Sequence, residues 1–292
     1  MERSSFVKSM VGFAAIGGLT SAFRLKELLS EEDYTYPVLF IGHGSPMNGI
    51  EDNEFSQNWA KMGKEIPKPK AVLVISAHWL TRGTHITAMS NPKTIHDFGG
   101  FPQALFDVQY PAKGSPELAV ETKKILEPVN VDLDEHWGLD HGAWSVIKHL
   151  YPEANVPVIQ LSIDYTKSGQ YHFELAQKLQ SLRHKGVLII GSGNIVHNLR
   201  LVDFRNFDKD NYGYDWAIEA RETVNNYLLE GNFQPLIDFE KMSKAVQVAI
   251  PTPDHYLPLL YTLGLKEKSE ELSLFNDKLL AGSLSMTSVK IM

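Results

Sequence analysis

Residues 71–80 read AVLVISAHWL and residues 37–46 read PVLFIGHGSP; in each, an apolar run of strand length leads to a histidine, His78 in one and His43 in the other. Residues 186–198, GVLIIGSGNIVHN, repeat the plan with His197 a short step beyond the run. Apolar runs that are continuous rather than alternating mark strands buried on both faces, the habit of a central parallel sheet. Working outward, strands are predicted at 38–41, 71–76, 156–162 and 187–191, and helices at 54–64, 115–126, 143–150 and 171–185. This alternation predicts an α/β fold: a single domain over 36–292, with a central, mostly parallel sheet flanked by helices.

Ligand sites in such sheets form outside the carboxyl ends of the strands. Taken alone, His78 reads as a core or surface histidine. If its strand neighbours that of His43, the two project from one edge, and a Gly-Ser-Gly-Asn loop read as flexible lets His197 fold over the same edge. Residues 251–258, PTPDHYLP, set a capping Thr252 before Pro253, which puts His255 in the opening turn of a helix over 255–263. Imidazole is the commonest metal-ligating side chain, so His43, His78, His197 and His255 are the candidate metal ligands.

Composition narrows the chemistry. The chain has 292 residues, 43% hydrophobic and 22% charged, and its formal net charge of -7 comes with no sustained Lys/Arg tract. That argues against nucleic acid and against an anionic membrane surface as partners, and for a small-molecule substrate. There is no cysteine, which removes thiolate nucleophiles, disulfides, iron–sulfur clusters and Cys-based zinc sites. A metal must then be held by nitrogen and oxygen, a donor set that suits ferrous iron and zinc.

Rival readings of the same motifs are weaker. Gly42-His43-Gly44 lacks the third glycine and the lysine of phosphate-binding loops. Gly191-Ser192-Gly193 does not match the G-x-S-x-G elbow of serine hydrolases. Asp140-His141-Gly142 reads either as a proton-transfer histidine with Asp140 beside it to influence its protonation, or as a helix-capping turn with a solvent-facing ring. The segment from His96 through Asp97, Phe98 and Phe101 to Tyr110 mixes aromatics and glycines without a period, as a loop lining an aromatic substrate site would, or a packed loop. His85, His136, His149, His172 and His184 read as structural or surface residues. The apolar stripe Trp216, Ala217, Ala220, Val224, Tyr227, Leu228 in a helix over 214–230 reads as core packing.

Residues 1–35 read as an N-terminal extension. Within it, 9–23 (SMVGFAAIGGLTSAF) is uncharged, follows Arg3 and Lys8 and ends in small residues. Two readings stay open: an amphipathic extension on a cytoplasmic domain, or an export segment. The stretch is too short and glycine-rich to predict a membrane span.

The segments GHGSPMN, SAHWLTRGT, TIHDFGGFPQALFDVQYPA, GLDHGAW, VPVIQLSID, GSGNIVHNLR, PTPDHYLPLLYTLG and GSLSMTSV, in this order, resemble the DODA-type extradiol aromatic ring-opening dioxygenases. This group is named for 4,5-DOPA dioxygenase extradiol and is related to the class III, LigB-like enzymes. The resemblance runs from about Tyr36 to the C-terminus. It implies one non-haem metal held by His43, His78 and His255, with His197 at or beside the metal as an occasional ligand and acid/base group. His141 would contact substrate or shuttle protons. The broader class uses two histidines and a glutamate on ferrous iron, whereas this chain offers His255 in place of the glutamate. Zinc is associated with bacterial relatives, while oxygen chemistry calls for Fe2+. The implied partners are a small aromatic diol and O2. A zinc hydrolase on the same scaffold and a non-catalytic metal-binding protein are the alternatives.

Overall fold

The computed structural model describes residues 30–207 and 209–292. The signal-like segment 9–23, and the extension up to residue 29, lie outside the described residues. Strands β1 (Val38–Gly42), β2 (Ala71–Thr81), β3 (Thr84–Thr87), β4 (Val131–Asp134), β5 (Val158–Asp164), β6 (Val187–Gly193), β7 (Leu272–Phe275) and β10 (Ser288–Ile291) form one sheet in the order β4-β3-β5-β2-β6-β1-β10-β7. Strands β8 (Leu279–Leu280) and β9 (Leu284–Ser285) pair separately. The central quartet β5-β2-β6-β1 is parallel, and β10 and β7 add antiparallel strands beside β1. The expected α/β architecture with a mostly parallel sheet is what the chain adopts.

Both faces of the quartet are covered, which is why its runs are continuously apolar. Val38, Phe40, Leu73, Ile75, Val187 and Ile189 pack into the core on one face, with helices Gly169–Lys178, Asp215–Glu230 and Leu257–Gly264. Leu39, Ile41, Val72, Val74, Leu188 and Ile190 pack into the other, with helices Glu54–Glu65 and His141–Leu150. The stripe of the 214–230 reading is core as expected: Ala217, Ala220, Val224 and Leu228 are buried.

Several boundaries move, each for a local reason. The 171–185 reading is two helices, Gly169–Lys178 and Gln180–Arg183, with Leu179 between them. The helix read from 143 starts at His141, because Asp140 has extended backbone and its side chain accepts the N–H of Ala143. His255 lies in a turn just ahead of helix Leu257–Gly264 rather than in its first turn; Tyr256 and Leu257 donate to the Pro253 carbonyl.

Strand β2 runs past the expected end, and its pairing with β5 slips between Ile75 and Leu80, facing Leu161 and Ile163. The strand bulges there, and a bulge re-aims the side chains it carries. His78 sits on that bulge. Gly193 belongs to β6 rather than to a flexible loop, and a Cβ on it would overlap the His255 carbonyl oxygen. It is glycine so that the His255 turn can lie directly on the strand, where Asn194 donates its N–H to the same carbonyl at 2.8 Å.

Candidate metal centre

Five separate segments bring five imidazoles together at the carboxyl edge. His43 follows β1, its N–H held by the Gly193 carbonyl at 3.1 Å. His78 comes from the β2 bulge and His141 from the first turn of its helix, where a Cβ on Gly142 would lie 2.5 Å from Ser76 Oγ, so only glycine permits that approach. His197 follows β6 and its N–H is bound by Ala249 O; the turn that carries His255 packs against the end of β6. Ring centroids are 5.0 Å apart for His43–His78, 5.3 Å for His43–His255, 4.9 Å for His78–His255, 5.5 Å for His43–His141 and 3.9 Å for His78–His141. His197 stacks flat on His255 at 3.5 Å, the planes 9° apart. His141 is buried, so the solvent-facing alternative falls.

What holds each ring differs. Nδ1 of His43 meets Ser192 Oγ at 2.9 Å, and Ser192 spends its only proton on the Gly142 carbonyl at 2.6 Å. The hydroxyl must therefore accept, and His43 carries its proton on Nδ1. That bond also occupies Ser192 in a fully buried position, which disposes of the nucleophile reading. Nδ1 of His255 bonds the Asp254 carboxylate. Nδ1 of His141 bonds Asp97 Oδ2 at 3.0 Å, and Nδ1 of His78 lies 3.3 Å from the same oxygen. The ring of His197 makes no hydrogen bond among the described residues; its contact is the stack on His255.

The electrostatics follow from burial. Desolvation first, then the neighbouring imidazoles, push the pKa of His43 and of His78 well below the ordinary value. Burial first, then His255, brings His197 down to about 3. Burial alone would raise the Asp97 carboxyl, but its bonds to His141 and the nearby His78 hold it down to about 2. Burial likewise opposes Asp254, and His255 outweighs it, so that carboxyl is lowered. Asp140 goes the other way, raised by burial and then by Asp97.

Neutral His43 and His78 leave one place open at the centre. Nε2 of His43 and Nε2 of His78 face each other across 3.1 Å. When both rings carry their proton at Nδ1, as Ser192 dictates for His43 and the Asp97 charge favours for His78, each presents a lone pair, and two lone pairs at that separation repel unless a proton or a cation mediates. Burial works against the extra proton. A divalent cation fits the donor set, and geometrically the donors fall into two clusters, His43/His78/His141 and His197/Asp254/His255.

Around the rings lies an aromatic wall from the 96–106 loop. Phe98 packs edge-on to His141 with centroids 5.5 Å apart, and Phe101 and Phe106 pack on Phe98 at 5.5 and 5.1 Å. Sequence reasoning pointed to this loop for its aromatics and missed its carboxylate: Asp97, not Asp140, bonds the His141 ring. Asp140 instead accepts from Ser76 Oγ at 2.6 Å and from Trp137 Nε1 at 3.3 Å while capping the helix.

Residues 37–283 match the family model described as the catalytic LigB subunit of aromatic ring-opening dioxygenase, and the chain belongs to that family. Its enzymes are metal-dependent oxidoreductases whose substrates are an aromatic ring and dioxygen. Among individual relatives, the chain is 48% identical over 259 residues to a protein of Escherichia coli named 4,5-DOPA dioxygenase extradiol, covering 87% of this chain and 94% of that one. It is 34% identical to the protein of that name from Beta vulgaris, over 90% of this chain and 98% of the other. A crystal structure of an uncharacterised Escherichia coli K12 protein, 42% identical, superposes with a TM-score of 0.76 over 88% of this chain and all of that chain. The chain is thus a LigB-family extradiol dioxygenase.

Proposed function

We propose that the chain opens the ring of a catechol of the DOPA type outside its two hydroxyls, with His43, His78 and His255 holding one divalent metal and His197 and His141 handling substrate protons. The observation that sets His197 apart from the ligands is the state of Nδ1; it does not separate His141, whose Nδ1 also bonds an oxygen. His43, His78 and His255 each have an oxygen beside Nδ1, which keeps the proton there and presents Nε2 as a donor. His197 has no such partner, so no hydrogen bond fixes its tautomer, which suits an acid/base group better than a permanent ligand.

A bound ferrous ion would supply the redox chemistry with dioxygen that zinc, which has none, would not. Zinc association in relatives and iron-dependent turnover are compatible on one nitrogen donor set. The protein's own part is binding and proton traffic. The Phe98 wall shelters the ring of the diol and excludes water from it. His197, neutral because burial lowers its pKa, becomes a better base when an anionic catecholate lies beside it, since a nearby negative charge favours the imidazolium. His141, its Nδ1 proton fixed on Asp97, has Nε2 left to take a hydroxyl proton. We assign 36–292 to the catalytic domain and 1–35 to an extension, with the enzyme working in the cytoplasm unless 1–23 directs export; the mass of the mature chain from its own host distinguishes these. Among the described residues no helix is long and apolar enough to cross a membrane.

The test is oxygen consumption. Protein reconstituted anaerobically with ferrous ion should take up oxygen with a catechol panel including DOPA and form a yellow ring-opened product, while zinc-loaded protein should not. No uptake by the ferrous protein with any catechol would overturn the reading.

A further inference from the structure

A single carboxylate oxygen stands between two of the histidines. Asp97 Oδ2 lies 3.0 Å from Nδ1 of His141 and 3.3 Å from Nδ1 of His78, whose rings are 3.9 Å apart. Asp97 Oδ1 accepts the backbone N–H of His141 at 2.9 Å, so both oxygens are engaged and the carboxylate is fixed in rotation. Its side chain is 18% exposed, and it is carried next to Phe98, which the aromatic cluster of Phe101, Phe106 and Trp144 holds in place. The nearest rival carboxylate, Asp140, is committed to Ser76, Trp137 and Ala143.

A carboxylate only accepts, so an imidazole that meets it through Nδ1 keeps its proton there and offers its lone pair at Nε2. We propose that Asp97 is a positioning residue shared by the two halves of the centre: its hydrogen bond to Nδ1 orients His141 toward the catechol, and its charge, 3.3 Å from Nδ1 of His78, favours the His78 tautomer that offers Nε2 to the metal. Metal retention and substrate handling then depend on one side chain of the aromatic loop. This rests on the metal reading above.

Zinc alone is the probe, titrated against a chromophoric chelator with the full-length chain, its Asp97→Asn, Asp97→Ala and Asp97→Glu variants, and His43→Ala. Loss of the carboxylate should weaken zinc binding about 10–100-fold in the Asn and Ala variants, the usual effect of removing such a partner. Asp97→Glu, which keeps two acceptor oxygens, should bind zinc better than Asp97→Asn although Asn matches the native size; a merely space-filling role gives the reverse order. Nitrogen NMR of the zinc-free protein should show His141 protonated at Nδ1, and Asp97→Asn, whose amide nitrogen cannot accept, should shift it toward the Nε2–H form. At saturating ferrous ion, adding Asp97→Asn to His141→Ala should slow catechol turnover no further. Wild-type zinc affinity in both Asp97→Asn and Asp97→Ala, with His43→Ala defective, would overturn the role of Asp97 alone. Wild-type affinity in His43→Ala as well would overturn the metal reading beneath it.

Discussion

The two ends of the central strands bury polar groups in opposite ways. At the amino edge, beside the starts of β1 and β6, Arg183 is fully buried with each part of its guanidinium occupied: Nε donates to Tyr36 O at 2.8 Å, Nη1 to Leu265 O at 2.7 Å and to Glu270 at 3.0 Å, and Nη2 pairs with Glu270. At the carboxyl edge, His43 is hydrogen-bonded on its outer nitrogen, His78 has the Asp97 carboxylate 3.3 Å from its own, and the two face each other with their inner nitrogens. The first network is closed and needs nothing from outside. The second leaves imidazole nitrogens of His43, His78 and His197 without fixed partners around its centre, which marks it as a site rather than a strut.

Breaking the closed edge should have the largest effect on stability. Glu270→Ala leaves a buried guanidinium without its counter-charge and should cost about 3–5 kcal/mol in chemical denaturation. The zinc capacity of the folded protein should not change. If the variant were as stable as wild type, the amino edge would not be the strut described.

Next comes His172, buried in the helix layer with Nδ1 on the Tyr261 hydroxyl at 3.0 Å. Burial brings its pKa down to about 4. The folded chain resists a proton that the unfolded chain accepts below its ordinary value of about 6.5. The stability His172 contributes is therefore complete above about pH 6.5 and lost as pH falls through 4, by about 3 kcal/mol. Urea midpoints between pH 7 and pH 4 should fall less steeply in His172→Gln. An unchanged slope would remove His172 from the account.

Smaller effects belong to the supports of the site. Gly193→Ala must displace the His255 turn from β6 and should cost about 1–3 kcal/mol, as overpacking does, and loosen zinc with it. Ser192→Ala takes the oxygen from His43 Nδ1 and should weaken zinc about tenfold, the low end for such partners, with little change in melting. Unaltered zinc affinity in Ser192→Ala would mean that the His43 tautomer is set elsewhere.

The sequence was readable where burial is two-sided and local. The runs in β1, β2 and β6 announced the parallel core, and the histidines beside them announced its edge. Strands β3, β4, β7 and β10 were not seen, because they are short and gain their place from distant partners: Val38 pairs with Ile291, and Thr84 with Val131. The slip in β2 that turns His78 inward appears only in the pairing with β5. The ligand candidates were likewise legible and their Nδ1 partners largely not, since Asp97 lies 44 residues from His141 and Ser192 lies 149 from His43. Asp254 is the exception: it stands next to His255 in the chain, and the pairing could have been read from that adjacency.

The proposed site rests most on the division between His255, whose Nδ1 is pinned by Asp254, and His197, which only stacks upon it. The most direct measurement is zinc stoichiometry and affinity in His255→Ala and His197→Ala, side by side. His255→Ala should fail to retain zinc, while His197→Ala should retain one equivalent with affinity close to wild type. Loss of zinc from His197→Ala as complete as from His255→Ala would contradict that division.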